Sequence, residues 1–249
     1  MSKNVAFLVF LIIMPLFMIY FISGVDVSQG DMIQQPDETL EIVNLIILNP
    51  ALSFDLGQTF ASGLLVQFLL LTGALAASIV VKERQEHIIM RMFAAPVKKI
   101  EILLGNLLGQ MIIVSIVAAV IIGISAYGMG IYWGKSWLDI FILTAITIFV
   151  ATTLGFLCSS IFKSSSLVTG VMSFIIIMMT FLSGSFTPNL EPTLLNNLTI
   201  NRWSNEGYIR LMQEQSLSSI ASNLSVLAII GIVFMVVAWL IYRREEIYE

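Results

Sequence analysis

Charge is scarce in this chain of 249 residues: only 11% are Asp, Glu, Lys or Arg, against 58% hydrophobic. A soluble domain carries about a quarter charged residues. With a mean hydropathy of +0.95, the deficit excludes a water-soluble globule and points to a lipid-embedded chain. Cysteine is limited to Cys158, which excludes an internal disulfide. Histidine is limited to His87, so no zinc site of the usual nitrogen and sulfur ligands is expected. The net charge of −4 says less about partners than the placement of the charges does.

The apolar runs come next. About 20 apolar residues at a rise of about 1.5 Å cross a hydrocarbon core of about 30 Å. Runs of that kind cover residues 5–21, 61–81, 102–127, 138–162, 167–182 and 220–242, which predicts six spans in a single all-α membrane domain covering 1–249. Pro15 in the first run is tolerable where neighbouring groups satisfy the freed carbonyl. Lys3 ahead of that run also fits a signal peptide, but no A-x-A-like site follows it. With six spans, one side holds Lys3, Lys82, Arg84, Arg91, Lys98, Lys99, Lys163, Arg243 and Arg244, and the other only Lys135, Arg202 and Arg210. The positive-inside rule then puts both termini in the cytoplasm. The 22–60 loop has no basic residue and carries Asp26, Asp31, Asp37, Glu38, Glu41 and Asp55, as an outer loop should. Trp133, Trp137, Trp203, Trp239 and Tyr242 fall near span ends, where interfacial aromatics are expected.

Apart from Asp139 in the first turn of the fourth, the predicted spans hold no Asp, Glu, Lys, Arg or His. Ionisable groups inside a membrane are costly and are kept for proton relays and ion paths. Their absence argues against a proton- or sodium-driven carrier, an ion pump and an intramembrane enzyme built on carboxylate or histidine chemistry. The polar groups left in the spans, among them Gln67, Thr72, Thr144, Thr147, Asn106 and Ser173, fit either interhelical hydrogen bonds of about 0.6 kcal/mol each or a weakly polar substrate path, for which Gln67, Thr72, Asn106 and Ser173 are the candidates. The longest polar segments, about 37 to 39 residues, are too short for an independent domain. Gly130-Ile-Tyr-Trp-Gly134-Lys135-Ser136 imitates a phosphate loop but has three residues between its glycines where four are needed, so it reads as a turn. No catalytic, metal or cofactor site is expected in this chain, and no nucleic-acid partner; an ATP-dependent function needs a second chain.

Between spans two and three lies Lys82-Glu83-Arg84-Gln85-Glu86-His87-Ile88-Ile89-Met90-Arg91-Met92-Phe93-Ala94-Ala95-Pro96-Val97-Lys98-Lys99. Ile88, Ile89, Met92 and Phe93 recur at helical spacing among charged residues, and Pro96 closes the run. This predicts a short amphipathic helix at the membrane surface, acting either as a plain charged connector or as a docking element. After span five, Ser183-Gly184-Ser185 and Pro188 stop the helix, and Leu194, Leu195, Leu198, Trp203, Tyr208, Ile209 and Met212 follow with Arg202 and Arg210. That segment reads either as an ordinary loop or as helices half-inserted in the outer interface with snorkelling arginines.

Glu83-Arg84, Arg91, Pro96 and the following Ile100-Glu101-Ile102-Leu103-Leu104-Gly105 resemble the type 2 permease family of ATP-binding-cassette (ABC) exporters, which typically carries an E-R-x-x-G-T-x-x-R pattern ahead of a proline here. His87-Ile88 stands where Gly-Thr is common and Asn106 where lysine is common. The break after span five is similar to that family's as well, and an amphipathic helix usual before its first span has only about four residues of room here. The resemblance implies a coupling helix, with Glu83, Arg84, Glu86, His87, Arg91 and Pro96 docking into a cleft of an ATP-binding subunit. It implies two such subunits, holding the ATP and Mg, and a second permease subunit, identical or related. It further implies re-entrant helices between spans five and six, and an exporter of amphipathic, drug-like or lipid-like cargo in a cell membrane, bacterial by family habit. A non-transporting assembly or sensor subunit is the alternative. Gly105-x-x-x-Gly109 is a small-xxx-small pattern that either brings helices together or is chance, and Cys158 reads as a packing residue.

Overall fold

A computed structural model describes residues 2–24, 56–86, 99–184 and 196–245. Among these residues the structure is helical apart from short connectors, with no strand. In chain order the helices are α1 (Ser2–Gly24), α2 (Leu56–Gln85), α3 (Lys99–Gly128), α4 (Trp137–Ile161), α5 (Ser165–Leu182), α6 (Ile200–Met212) and α7 (Ala221–Glu245), with short 3-10 turns at Asn196–Leu198 and Leu217–Ile220. Five of them (α2, α3, α4, α5 and α7) are long and apolar enough to cross a membrane, and α1 contributes a shorter apolar stretch, Val9–Phe21. Each of the six apolar runs of the sequence therefore lies on a helix of its own. Pro15 sits inside α1 without ending it.

Local chemistry explains the ends. Ser136 precedes α4 and its hydroxyl accepts the Asp139 amide, and Asp139 stands in the first turn, where a carboxylate favours the helix dipole. α5 stops at Leu182; Gly184 follows at φ +72, in the left-handed region that glycine enters without penalty. Ser185–Pro188, the rest of the expected break, lies outside the described residues.

α2 is the centre of the bundle. It packs against α1, α3, α4, α5 and α6, and 78% of its apolar window is buried, against 17% for α7. α7 leans mainly on α4 and turns Ile229, Ile232, Val233, Val236 and Leu240 outward, as a helix facing lipid does. α2 and α4 touch backbone to backbone. A Cβ placed on Gly73 would stand 2.7 Å from the Ala151 carbonyl oxygen, and one on Gly155 would stand 2.7 Å from the Gly73 carbonyl oxygen. Close approach of this kind is how membrane helices gain packing without a hydrophobic driving force between them. By contrast, Gly105 and Gly109 on α3 have nothing within 4 Å of a built Cβ; the small-xxx-small pattern joins no helices among the described residues.

One expectation for the interfacial aromatics is corrected. Trp133 is only 2% exposed. Its Nε1 donates to Ser125 Oγ at 3.0 Å and its ring meets Tyr208 edge-on at 5.8 Å, because the 129–136 connector folds back over the bundle. Gly134, at φ +120, lies so close to α6 that a Cβ would stand 2.5 Å from the Leu211 carbonyl oxygen. The phosphate-loop imitation is thus a tight connector holding a buried tryptophan. Trp137 stays half exposed and stacks on Tyr127.

Substituting Gly155→Val should lower stability by about 1–3 kcal/mol through overpacking, whereas Gly105→Val should change it by less than about 0.5 kcal/mol. Thermal unfolding of the purified chain in detergent compares the two, and equal losses would refute the assignment of the α2–α4 contact.

Candidate functional site

Three features of α2 lie along its length, and each is tied to a different part of the chain. At its C-terminal end, Lys82, Glu83, Arg84 and Gln85 continue the helix without a break, and Glu86 forms the turn that follows. These residues were expected in a separate surface helix. Instead the first part of the charged segment is the last turn of the long apolar helix, because nothing in Val80-Val81-Lys82-Glu83 breaks an α-helix. Lys82 and Glu86 form an exposed i,i+4 pair at 3.8 Å, which at that exposure contributes little. Gln85 Nε2 donates to the Lys163 carbonyl at 2.9 Å, so this end of α2 is fastened to the three-residue connector between α4 and α5. Lys82, Arg84 and Lys163 thus share one end of the bundle. His87, Arg91 and Pro96 lie outside the described residues.

Midway along α2 is a cavity of about 430 Å³ between α1, α2 and α5. Gln67 stands at its wall, about 16 Å from the Leu56 end at the helical rise. Phe68, Leu71 and Leu75 extend the same face of α2; Met14 of α1 and Ile177 and Phe181 of α5 close the sides, and Thr169 and Ser173 add hydroxyls. Thr169 spends its hydroxyl on the Ser165 carbonyl at 3.1 Å. Gln67 Oε1 is buried without a hydrogen-bond partner. The structure therefore brings two of the sequence-predicted path residues, Gln67 and Ser173, to one cavity. It does not bring the others. Thr72 is fully buried with its hydroxyl on the Phe68 carbonyl at 2.7 Å, and Asn106 is on α3 and does not line the cavity.

At the Leu56 end, α2 meets α6, a feature sequence reasoning read only in outline. Asn201, Ser204, Asn205 and Tyr208 recur at i, i+3, i+4 and i+7, and all are buried. The face turned into the bundle is neutral polar along its middle, with Ile200, Leu211 and Met212 buried at its two ends. Ser62 Oγ donates to Asn205 Oδ1 at 2.5 Å, Thr147 Oγ1 to Ser204 Oγ at 3.4 Å, and Asn201 Nδ2 to Thr180 Oγ1 at 2.5 Å; Thr144 and Tyr208 share a 2.8 Å bond. α6 is thereby seated on α2, α4 and α5 at once. Of these hydroxyls, Thr144 and Thr147 had been read as bonding between spans; both bond to α6. The signal was present in the spacing of Asn, Ser and Tyr, but it cannot be separated from solvent exposure by polarity alone.

Arg210 does not snorkel freely, as had been expected. Its guanidinium pairs with Glu206 at 2.6 Å and also donates to the Ser219 carbonyl, while Asn223 reaches Glu206 and the Trp203 carbonyl. At this end too, Tyr132 donates to Glu214 at 2.9 Å, and that carboxylate holds the phenol above its ordinary pKa.

The described residues thus hold five apolar helices of spanning length, the central one with a charged end, and a short helix seated between the fifth and last apolar runs. The family model described as ABC-2 family transporter protein matches residues 49–240. The chain belongs to the ABC-2 transporter family. It is accordingly a multi-pass membrane protein, the transmembrane part of an ABC transporter, which works with an ABC ATP-binding subunit. Comparison with individually curated proteins gives no match. Within the ABC-2 permease, the match takes in all of α2 to α6 and most of α7, and so every residue of the α6 seat.

The Ser62–Asn205 contact can be measured by a double-mutant cycle. Ser62→Ala and Asn205→Ala should show a coupling of about 0.6 kcal/mol, and no more than about 1.7, in chemical or thermal unfolding in detergent. Zero coupling would mean that the bond is absent.

Proposed function

We propose that this permease is the membrane half of an ABC exporter that moves uncharged amphipathic cargo, drug-like or lipid-like, out of a bacterial cell. In this reading all six apolar helices span the membrane and both termini are cytoplasmic. The Glu83–Pro96 segment docks on an ATP-binding subunit, of which there are two, and these hold the ATP and Mg. A second permease subunit, identical or related, completes the path. The observation that carries the reading is the continuity of α2. One helix of 30 residues bears Glu83 and Arg84 at one end, walls the cavity at Gln67 and Leu71, and holds α6 through Ser62 at the other. A push on the charged end therefore reaches the cavity and the far end through one rigid element, at about 1.5 Å per residue.

Several features support the details. Lys82, Arg84 and Lys163 gather at the end assigned to the cytoplasm, and Lys135, Arg202 and Arg210 belong to the opposite end, in keeping with the positive-inside distribution. Among the described residues no charged side chain lines the cavity, which suits cargo without charge, since burying an unpaired ion is prohibitive. Ser173 and Gln67 offer polar contacts on an otherwise apolar wall, the usual make-up of a small-molecule site.

Replacing Glu83, Arg84, Glu86 and Arg91 together by alanine should leave insertion and detergent stability unchanged. It should reduce co-purification of the ATP-binding subunit and ATP-dependent transport by at least tenfold. Full transport in that variant would remove the docking role. A permease that purifies alone, with no ATPase activity depending on it, would favour an assembly or sensor subunit instead.

A further inference from the structure

The connector between α3 and α4 lies across α6 in a way that its length alone does not require. Gly130 at φ +70 and Gly134 at φ +120 turn the chain on either side of Ile131-Tyr132-Trp133, in backbone that glycine adopts without penalty. Between them the side chains alternate, as in any extended stretch: Ile131 and Trp133 are buried, and Tyr132 is 43% exposed. Each residue holds a different part of the bundle. The Ile131 amide donates to the Ser125 carbonyl at 3.1 Å and Trp133 Nε1 donates to Ser125 Oγ, which fixes the connector to α3. The Trp133 ring stands edge-on to Tyr208 on the buried face of α6. Gly134 abuts the Leu211 carbonyl in the last turn of α6. Tyr132 donates to Glu214, just past the end of α6, and its carbonyl accepts from Gln58 of α2 at 3.4 Å. Glu214 is itself held at φ +61, which is uncommon for a residue with a side chain. The bonds beneath α6 are neutral and individually weak, and Asn201 Oδ1 has no partner there. The Tyr132 bond, by contrast, has a carboxylate acceptor, the stronger kind.

We infer that residues 131–134 are a strap that keeps α6 in its seat, and that α6 lifts from this end of the bundle only when the strap lets go. Tyr132 and Gly134 are then positioning residues for α6. The strap follows from the contacts alone; its part in releasing cargo rests on the export reading.

A reporter thiol tests this, since Cys158 is the chain's single cysteine. In a Cys158→Ala background, Ser204→Cys puts a thiol on the face of α6 that is shut against the bundle, where Ser204 is fully buried. The rate at which a water-soluble maleimide labels it, on the full chain in lipid nanodiscs, reads how often α6 lifts. Tyr132→Phe removes one hydroxyl from a half-exposed side chain and should raise that rate about fivefold, the worth of a typical net hydrogen bond. Glu214→Ala should give the same rise, and the two together no more than either alone. Gly134→Ala, which drives a methyl against the Leu211 carbonyl, should raise the rate at least as much. Thermal unfolding should not change in Tyr132→Phe. An unchanged labelling rate in Tyr132→Phe overturns the inference, and so does a rise that comes with a matching loss of thermal stability, because the whole bundle has then loosened. The export reading fails separately: if the rates rise as expected and the assembled complex moves no cargo, the strap stands and its part in export does not.

Discussion

The contact on which the arrangement depends is the backbone approach of α2 and α4 at Gly73 and Gly155, where each helix comes within 2.7 Å of the other's missing Cβ. In water, two helices would be held by excluding solvent from apolar faces. In lipid that force is absent between helices, and only close packing and hydrogen bonds remain. Gly73 against the Ala151 carbonyl and Gly155 against the Gly73 carbonyl bring α2 to the middle of the bundle. α1 and α5 then pack on its other sides, and the cavity is the space between them on α2's face. A bulkier residue at either glycine would push α2 outward and change the cavity, the Gln85–Lys163 bond and the α6 seat together.

The same solvent logic explains α6. A helix of 13 residues is too short to cross about 30 Å of hydrocarbon, yet its Asn201, Ser204, Asn205 and Tyr208 are buried. Each polar group so placed must find a protein partner, and the partners are hydroxyls of α2, α4 and α5. All are neutral, so the seat is directional but weak, at about 0.6 kcal/mol per bond. Asn201 Oδ1 and Thr59 Oγ1 remain without partners in this region. A seat of modest, incompletely satisfied bonds is held more loosely than the α2–α4 contact, which is set by sterics.

Much of the fold was legible because the bilayer imposes a length. The six apolar runs each fall on a helix, with ends within a few residues, since the loss of hydropathy and the capping residues coincide, as at Ser136 and at Ser183-Gly184. The family resemblance rested on Glu83, Arg84, Arg91 and Pro96, and the family match spans that segment. What was not legible follows from physics that polarity does not encode. Lys82 to Gln85 were read as a separate surface helix because charge there suggested a boundary, but helical backbone geometry continues through charged residues as readily as through apolar ones. Trp133 was read as interfacial, because an aromatic near a span end looks the same whether it faces headgroups or the protein. Thr72 and Gln67 are five residues apart on one helix, and only the packing shows that one is spent on its own backbone and the other faces a cavity.

The neutrality of the apolar helices has one more consequence. From 61 to 81, 102 to 127, 138 to 162 except for Asp139 in its first turn, 167 to 182 and 220 to 242, with 9 to 21 of α1, no residue carries a charge at neutral pH. A charge displaced across the bilayer exchanges about 2.3 kcal/mol with the field for every 100 mV. Tilting or sliding these helices moves no such charge, so their rearrangement does no electrical work. These apolar stretches therefore offer the membrane field no side-chain charge to act on.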